Sequence, residues 1–178
     1  MNNPSGIILS APSSGCGKTT ITLALLRALK REGLQIKSAK SGPDYIDTRF
    51  HAEASGSECY NLDAWAMHPD QICKLANEAT QIIIEGAMGL FDGAPPNGKG
   101  STAHLATILN LPIILILDTS LNRIKLPLTG NTPYSIYVTQ KSITYFLTYN
   151  IERCVHSTFV ILTEFRSKTT SREKKKKK

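Results

Sequence analysis

Ala11-Pro12-Ser13-Ser14-Gly15-Cys16-Gly17-Lys18-Thr19-Thr20 is the stretch on which the reading of this 178-residue chain turns. Before it stands a short run of branched apolar residues, Gly6-Ile7-Ile8-Leu9-Ser10-Ala11, with the length and composition of a buried parallel strand. After it, Ile21, Leu25, Leu26 and Leu29 recur at helical spacing between Lys18 and Lys30. Strand, glycine-bearing turn and helix, in that order, form the setting in which such a turn holds phosphate. Gly15 and Gly17 let backbone N–H groups approach an anion closely, at the positive end of the following helix. Lys18 is then placed against the terminal phosphates of a nucleotide, and the Thr19 hydroxyl is an oxygen ligand suited to Mg²⁺. Cys16 and Thr20 complete the nucleotide-binding set. Pro12 stands where the usual pattern has its first glycine, so the match is incomplete there. A glycine-rich turn can also be plain punctuation before a helix, but the flanking elements favour the nucleotide.

Composition fits one globular domain with a real core: 41% of residues are apolar and 20% charged. The apolar run Leu111 to Leu117 is too short to span a bilayer, and the N-terminus lacks the pattern of a secretory signal. A cytoplasmic location and no membrane partner are therefore expected. Cys16, Cys59, Cys73 and Cys154 show no CxxC spacing, so neither a zinc site nor a disulfide framework is indicated. The net charge of +7 is uneven. From Leu121 onward twelve basic residues face three acids, whereas residues 1–120 carry nine basic and eleven acidic ones. A nucleic-acid partner would rest on the terminal lysine run Lys174 to Lys178 alone, and such a run reads as a solvated, disordered extension.

Further along, Gly33 is a plausible end to the first helix, and Leu34 to Ala39 reads as a second strand. Lys40-Ser41-Gly42-Pro43-Asp44-Tyr45-Ile46-Asp47 then falls at a strand end, where open α/β sheets keep their ligand loops. Its two carboxylates exceed what a turn needs; helix capping is the alternative for Asp47 and explains Asp44 less well. Asn61-Leu62-Asp63-Ala64-Trp65 is a polar and aromatic patch that either lines a pocket or packs. A helix is predicted over Asp70 to Ala79, entered through His68-Pro69-Asp70. Gln81-Ile82-Ile83-Ile84-Glu85-Gly86 is a buried strand ending in an acid, the pattern that delivers a carboxylate to magnesium in phosphate-loop proteins, so Glu85 is a metal candidate. Asp92 follows in the glycine-rich segment Gly86 to Gly93, either as a site carboxylate or as a turn former. Ser101 or Thr102 caps a helix through Leu109, and Leu111 to Asp118 is another buried strand. Asp118 falls at the same strand-end face as Glu85. This alternation means an α/β fold, a doubly wound parallel sheet of the P-loop NTPase kind.

Three ordered stretches together resemble the cobyrinic acid a,c-diamide synthases: the loop ending Gly15-Cys16-Gly17-Lys18-Thr19-Thr20, the segment Lys40 to Asp47 continuing through Phe50-His51, and Glu85-Gly86-Ala87-Met88-Gly89-Leu90-Phe91-Asp92-Gly93. Asn61-Leu62-Asp63 and Gly100-Ser101-Thr102-Ala103 fit as well, and the resemblance covers roughly residues 5 to 120. It implies an ATP- and Mg²⁺-binding amidoligase domain similar to dethiobiotin synthetase. It further implies amidation of the a and c carboxylates of cobyrinic acid or a related tetrapyrrole, through an acyl phosphate, with glutamine as nitrogen donor. Carried over by position, Lys18 and Thr19 hold phosphate and metal, and Thr19, Asp44 and Glu85 form the magnesium set. Asp44, Tyr45, Asp47, Glu85 and Asp92 are then the catalytic candidates, with Ile46 beside them, in a protein expected as a homodimer.

After about Ser120 the resemblance stops, so the sheet is expected to be incomplete on its C-terminal side. Residues 121–178 read as a divergent segment, a frame-shifted or prematurely ended translation, and no cysteine sits in a glutaminase-like context. On that reading the glutaminase domain is absent, ammonia must come from another chain, and activity is impaired. Two alternatives stay open: a nucleotide-switched binding module of the ParA and MinD kind, and an inactive fragment. The extra lysine of the former has Ser13 in its place here.

Overall fold

The structure is a computed structural model, and it describes residues 4–118 and 158–163. Five strands alternate with four helices in the first of these segments: β1 Gly6–Ser10, α1 Lys18–Arg31, β2 Lys37–Ser41, α2 Asp47–Ser55, β3 Cys59–Leu62, α3 Pro69–Asn77, β4 Ile82–Glu85, α4 Thr102–Leu109 and β5 Ile113–Asp118. A sixth strand, β6 Thr158–Thr163, lies in the second segment. All pairings are parallel and the strand order is β3-β2-β4-β1-β5-β6. The doubly wound α/β sheet of the P-loop NTPase class is thus present. β6 falls beyond residue 120, in the segment for which the sequence suggested no element, and it pairs with β5 along its whole length. Apart from β6, the divergent segment, Cys154 and the lysine tail lie outside the described residues.

Side-chain alternation along the buried strands divides the core into two layers. Ile8, Ile82, Ile84 and Ile113 face α3 and α4, where they meet Ile72, Ala76, Leu105 and Leu109. Leu9, Ile83 and Ile116 face the other way, onto Leu26 of α1. Ile8, Ile84, Ile72, Leu105 and Leu109 are fully buried, and each such side chain contributes roughly 1.5–3 kcal/mol. These layers fix β1 and β4 side by side in the middle of the sheet, so the loops leaving their carboxyl ends emerge together.

Helix ends follow local chemistry. Ser101 caps α4 by accepting from His104 N at 3.1 Å, and His68 caps α3 with Gln71 returning to its backbone. At the end of α1, Leu34 N donates to Leu29 O at 3.1 Å and Gly33 adopts φ +81°. This places Leu34 in the exit from the helix, half exposed, so β2 begins at Lys37, three residues later than the apolar pattern suggests. No helix among the described residues is long and apolar enough to cross a membrane.

Candidate nucleotide and metal site

At the switch point, where the chain leaves β1 with β4 on one side and β5 on the other, the loop Ala11 to Gly17 turns into α1. Gly15 and Gly17 have φ +85° and +83°, left-handed values that side-chain-bearing residues adopt only at a cost, and this exposes the loop amides toward a cavity of about 520 Å³. Gly15, Gly17, Lys18, Thr19 and Thr20 line that cavity. Cys16 does not; it is buried beneath the loop in the α1-side core, its Sγ 3.4 Å from Ser13 Oγ.

Lys18 bends back over its own loop. Its ammonium donates to Ser13 O at 3.1 Å and to Met88 O at 2.7 Å, so the lysine ties the phosphate loop to the segment leaving β4. Met88 has φ +48°, a strained conformation for a residue with a side chain, and its carbonyl is among those holding the ammonium. Burial lowers the Lys18 pKa, with the Glu85 and Asp92 charges opposing the shift.

Below the loop, three side chains from three elements converge on Glu85, which ends β4 fully buried. Thr19 donates to its Oε1 at 2.7 Å, and Lys40, from the end of β2, donates to the same oxygen at 2.8 Å. His51, fully buried on α2, meets Oε2 at 2.7 Å through Nε2, while its Nδ1 lies 3.6 Å from Cys59 Sγ. Burial alone would raise the Glu85 pKa, but the hydrogen bonds from His51, Lys40 and Thr19 hold it down to about 2. For His51 burial opposes the charge, yet the bonds to Cys59 and Glu85 outweigh it and push the pKa up to about 9. Burial likewise works against the charge on Lys40, and its bonds to Asp47 and Glu85 leave the pKa raised.

Asp47 and Asp44 take different parts, and capping, the alternative for Asp47, falls to Asp44. Asp47 turns inward: its Oδ2 is 2.5 Å from Lys40 Nζ and 3.5 Å from Thr19 Oγ1. Asp44 is the capping group, its Oδ1 accepting from Ile46 N at 3.0 Å and Asp47 N at 2.9 Å, with Oδ2 3.8 Å from Lys40. Burial opposes ionisation of Asp44, and those backbone N–H groups hold its pKa below the usual carboxylate value. Both aspartates line the cavity. Tyr45 is 82% exposed on the rim and does not line it. Asp92 is exposed too and does not line it, closing a turn by accepting from Gly89 N at 2.9 Å.

The donor set suits a magnesium ion. Thr19 Oγ1 stands within 3.5 Å of oxygens from both Glu85 and Asp47, and a cation, the Lys40 ammonium, already contacts both carboxylates. Hard oxygen donors from one or two carboxylates and a hydroxyl are what Mg²⁺ takes from a protein when phosphates supply the rest. No group of three or more His, Cys, Asp or Glu side chains suited to a metal occurs among the described residues.

Lys40, Ser41 and His51 were not singled out from sequence. Lys40 shares its strand parity with Ile36, which packs in the α1-side core, so its burial was readable from the alternation. His51 stands four residues after Asp47 and four before Ser55, on the buried face of α2. The Ser41 hydroxyl, buried at the cavity wall, has no partner among the described residues.

Curated relatives share this part of the chain. Hydrogenobyrinate a,c-diamide synthase from Brucella anthropi is 52% identical over 118 residues, 64% of this chain and 27% of the relative. Proteins of the same name from Rhodobacter capsulatus and Rhizobium meliloti are 50% identical over 121 and 117 residues, covering 65% and 64% of this chain and 28% and 27% of the relatives. The chain thus matches little more than a quarter of their length. Among solved structures, the signal recognition particle receptor FtsY from Elizabethkingia anophelis aligns with a TM-score of 0.47 at 18% identity, covering 67% of this chain and 43% of the other. The family model described as the CobQ/CobB/MinD/ParA nucleotide binding domain matches residues 7–177, and the chain belongs to that family.

Proposed function

We propose that this chain binds ATP with Mg²⁺ and uses it to activate the a and c carboxylates of a cobyrinate- or hydrogenobyrinate-type tetrapyrrole for amidation. The observation that carries this reading is the convergence of Thr19, Glu85, Asp47 and Lys40 beneath a phosphate loop, within the part of the chain half-identical to a,c-diamide synthases. A carboxylate oxygen is a poor leaving group; phosphorylation turns it into the phosphate of an acyl phosphate, which ammonia displaces. The protein's share is positioning and charge neutralisation.

Lys18 and the loop amides hold the phosphates. Thr19, Glu85 and Asp47 hold the magnesium, with Asp44 at its edge; when bound, the metal neutralises phosphate charge. His51 keeps Glu85 oriented and ionised through Oε2, leaving Oε1 toward the site. Lys40 lies within reach of both carboxylates and provides a positive charge where phosphoryl oxygens and acceptor meet. Tyr45 and Ile46, 82% and 70% exposed at the rim, meet the acceptor. A cytoplasmic homodimer supplied with ammonia released from glutamine by a partner chain belongs to the same proposal.

The test is isotopic. With hydrogenobyrinate labelled with ¹⁸O in its carboxylates, ATP and ammonium, amide formation should place one ¹⁸O in the phosphate released per amide. Amide formation without label in phosphate, or no ATP consumption dependent on the acceptor, would overturn the proposal.

A further inference from the structure

A second cavity, of about 700 Å³, opens at the same carboxyl edge of the sheet. The segment leaving β4 walls both cavities: Ala87 and Met88 line the nucleotide pocket, and Asn97 and Lys99 line the second. The opposite wall is the loop leaving β3, where Trp65, the chain's one tryptophan, stands 61% exposed above the buried Ala64. An exposed tryptophan beside an apolar floor is a surface that gains from being covered by a flat ring.

The wall is built rather than incidental. Gly100 has φ +85°, and a Cβ there would stand 2.8 Å from Trp65 Cβ, so the two loops close on each other through a position that excludes other side chains. Asp63 accepts from Trp65 N at 2.9 Å and Ala66 N at 3.2 Å, which fixes the tryptophan loop and occupies the nearby carboxylate. Asp70 stands 3.4 Å from His68. Lys99 therefore remains as the lining cation. His104 accepts from Gly100 N at Nδ1 (3.1 Å), which leaves its proton on Nε2 as a donor. A flat aromatic face, an ammonium and an imidazole N–H together recognise a planar ring with carboxylates on its rim.

We propose that this cavity receives one edge of the acceptor macrocycle, a polycarboxylate tetrapyrrole, with its face on Trp65 and a peripheral carboxylate at Lys99 and His104. The inference rests on the amidation reading above. The shared segment from β4 then places one carboxylate of the ring toward the nucleotide pocket while others are held outside it. The choice left open by the sequence at Asn61 to Trp65 divides along the patch: Ala64 and Trp65 line this cavity, while Leu62 packs in the core.

The single tryptophan is also the reporter. Uroporphyrin, an octacarboxylate tetrapyrrole, is titrated into the unaltered chain while Trp65 emission is followed. Porphyrin absorbance is followed in parallel for Trp65→Ala and Lys99→Glu, and calorimetry with Mg²⁺ and a non-hydrolysable ATP analogue is run on every sample. Saturable quenching is expected, with affinity weakened at least tenfold in both variants and nucleotide binding unchanged. Unsaturable quenching, variants that bind the porphyrin as tightly as the unaltered chain, or quenching produced by the nucleotide alone would overturn the inference. If nucleotide binding is intact while the porphyrin fails, only this inference falls. If the unaltered chain binds no nucleotide, the amidation reading falls instead.

Discussion

Raising the pH from 6.5 to 9 should remove a proton on which the fold depends. His51 is fully buried, its Nε2 2.7 Å from Glu85 Oε2 and its Nδ1 3.6 Å from Cys59 Sγ. These contacts push its pKa from 6.5 up to about 9. Between those values the folded chain holds one proton more than the unfolded chain, so stability falls by about 1.4 kcal/mol per pH unit, roughly 3 kcal/mol in all. Below 6.5 the contribution is fully present. Glu85 shows the other limb: its pKa is depressed from 4.5 to about 2, so its contribution is present above 4.5 and lost as pH falls toward 2. The two shifts describe one interaction and are not added. The pair therefore stabilises most between about pH 4.5 and 6.5. Urea unfolding at pH 6.5, 7.5, 8.5 and 9, run beside His51→Gln, isolates this slope because both chains share the same cysteines. The unaltered chain should lose roughly 3 kcal/mol more than the variant across the range. Equal slopes in the two chains would refute a buried, protonated His51 against Glu85.

Other perturbations read other parts of the site. Glu85→Ala leaves Lys40 and His51 buried without their shared counter-charge and should cost about 3–5 kcal/mol in chemical denaturation. Asp44→Ala removes the acceptor for Ile46 N and Asp47 N and should lower stability by about 1 kcal/mol, whereas Asp44→Asn keeps the acceptor and most of that stability; thermal melts compare them. Gly86→Ala places a Cβ 2.6 Å from Thr102 Oγ1 and 3.2 Å from Leu9 O, forcing α4 away from the β4 loop; a destabilisation of about 1–3 kcal/mol is expected.

The sheet's centre was legible because its strands are short, wholly apolar runs flanked by glycine-bearing turns, as at Ile7 to Leu9 and Ile82 to Ile84. β3 was not, since Cys59-Tyr60-Asn61-Leu62 is an edge strand whose identity comes from pairing with β2 rather than from its own pattern. β6 belongs to a stretch with no motif to mark it, and its place is likewise given by its partner. At the site, the places of the glycine-bearing loop after β1 and of Glu85 at the end of β4 were readable because backbone geometry and strand ends constrain residue type. The division of labour between Asp44 and Asp47 was not, because three residues of spacing suit either one as the cap. The burial of Lys40 was readable from the strand alternation, but its pairing and that of His51 were not, because the shared partner, Glu85, lies 45 and 34 positions away.

Calorimetric titration of this chain with a non-hydrolysable ATP analogue, with Mg²⁺ and then with excess chelator, beside a Lys18→Ala control, tests the central claim most directly. The account predicts saturable binding that weakens at least tenfold without Mg²⁺ and is lost in the control, because Thr19, Glu85 and Asp47 meet the metal and Lys18 meets the phosphates. Binding unchanged by chelator, or equally strong in Lys18→Ala, would contradict it.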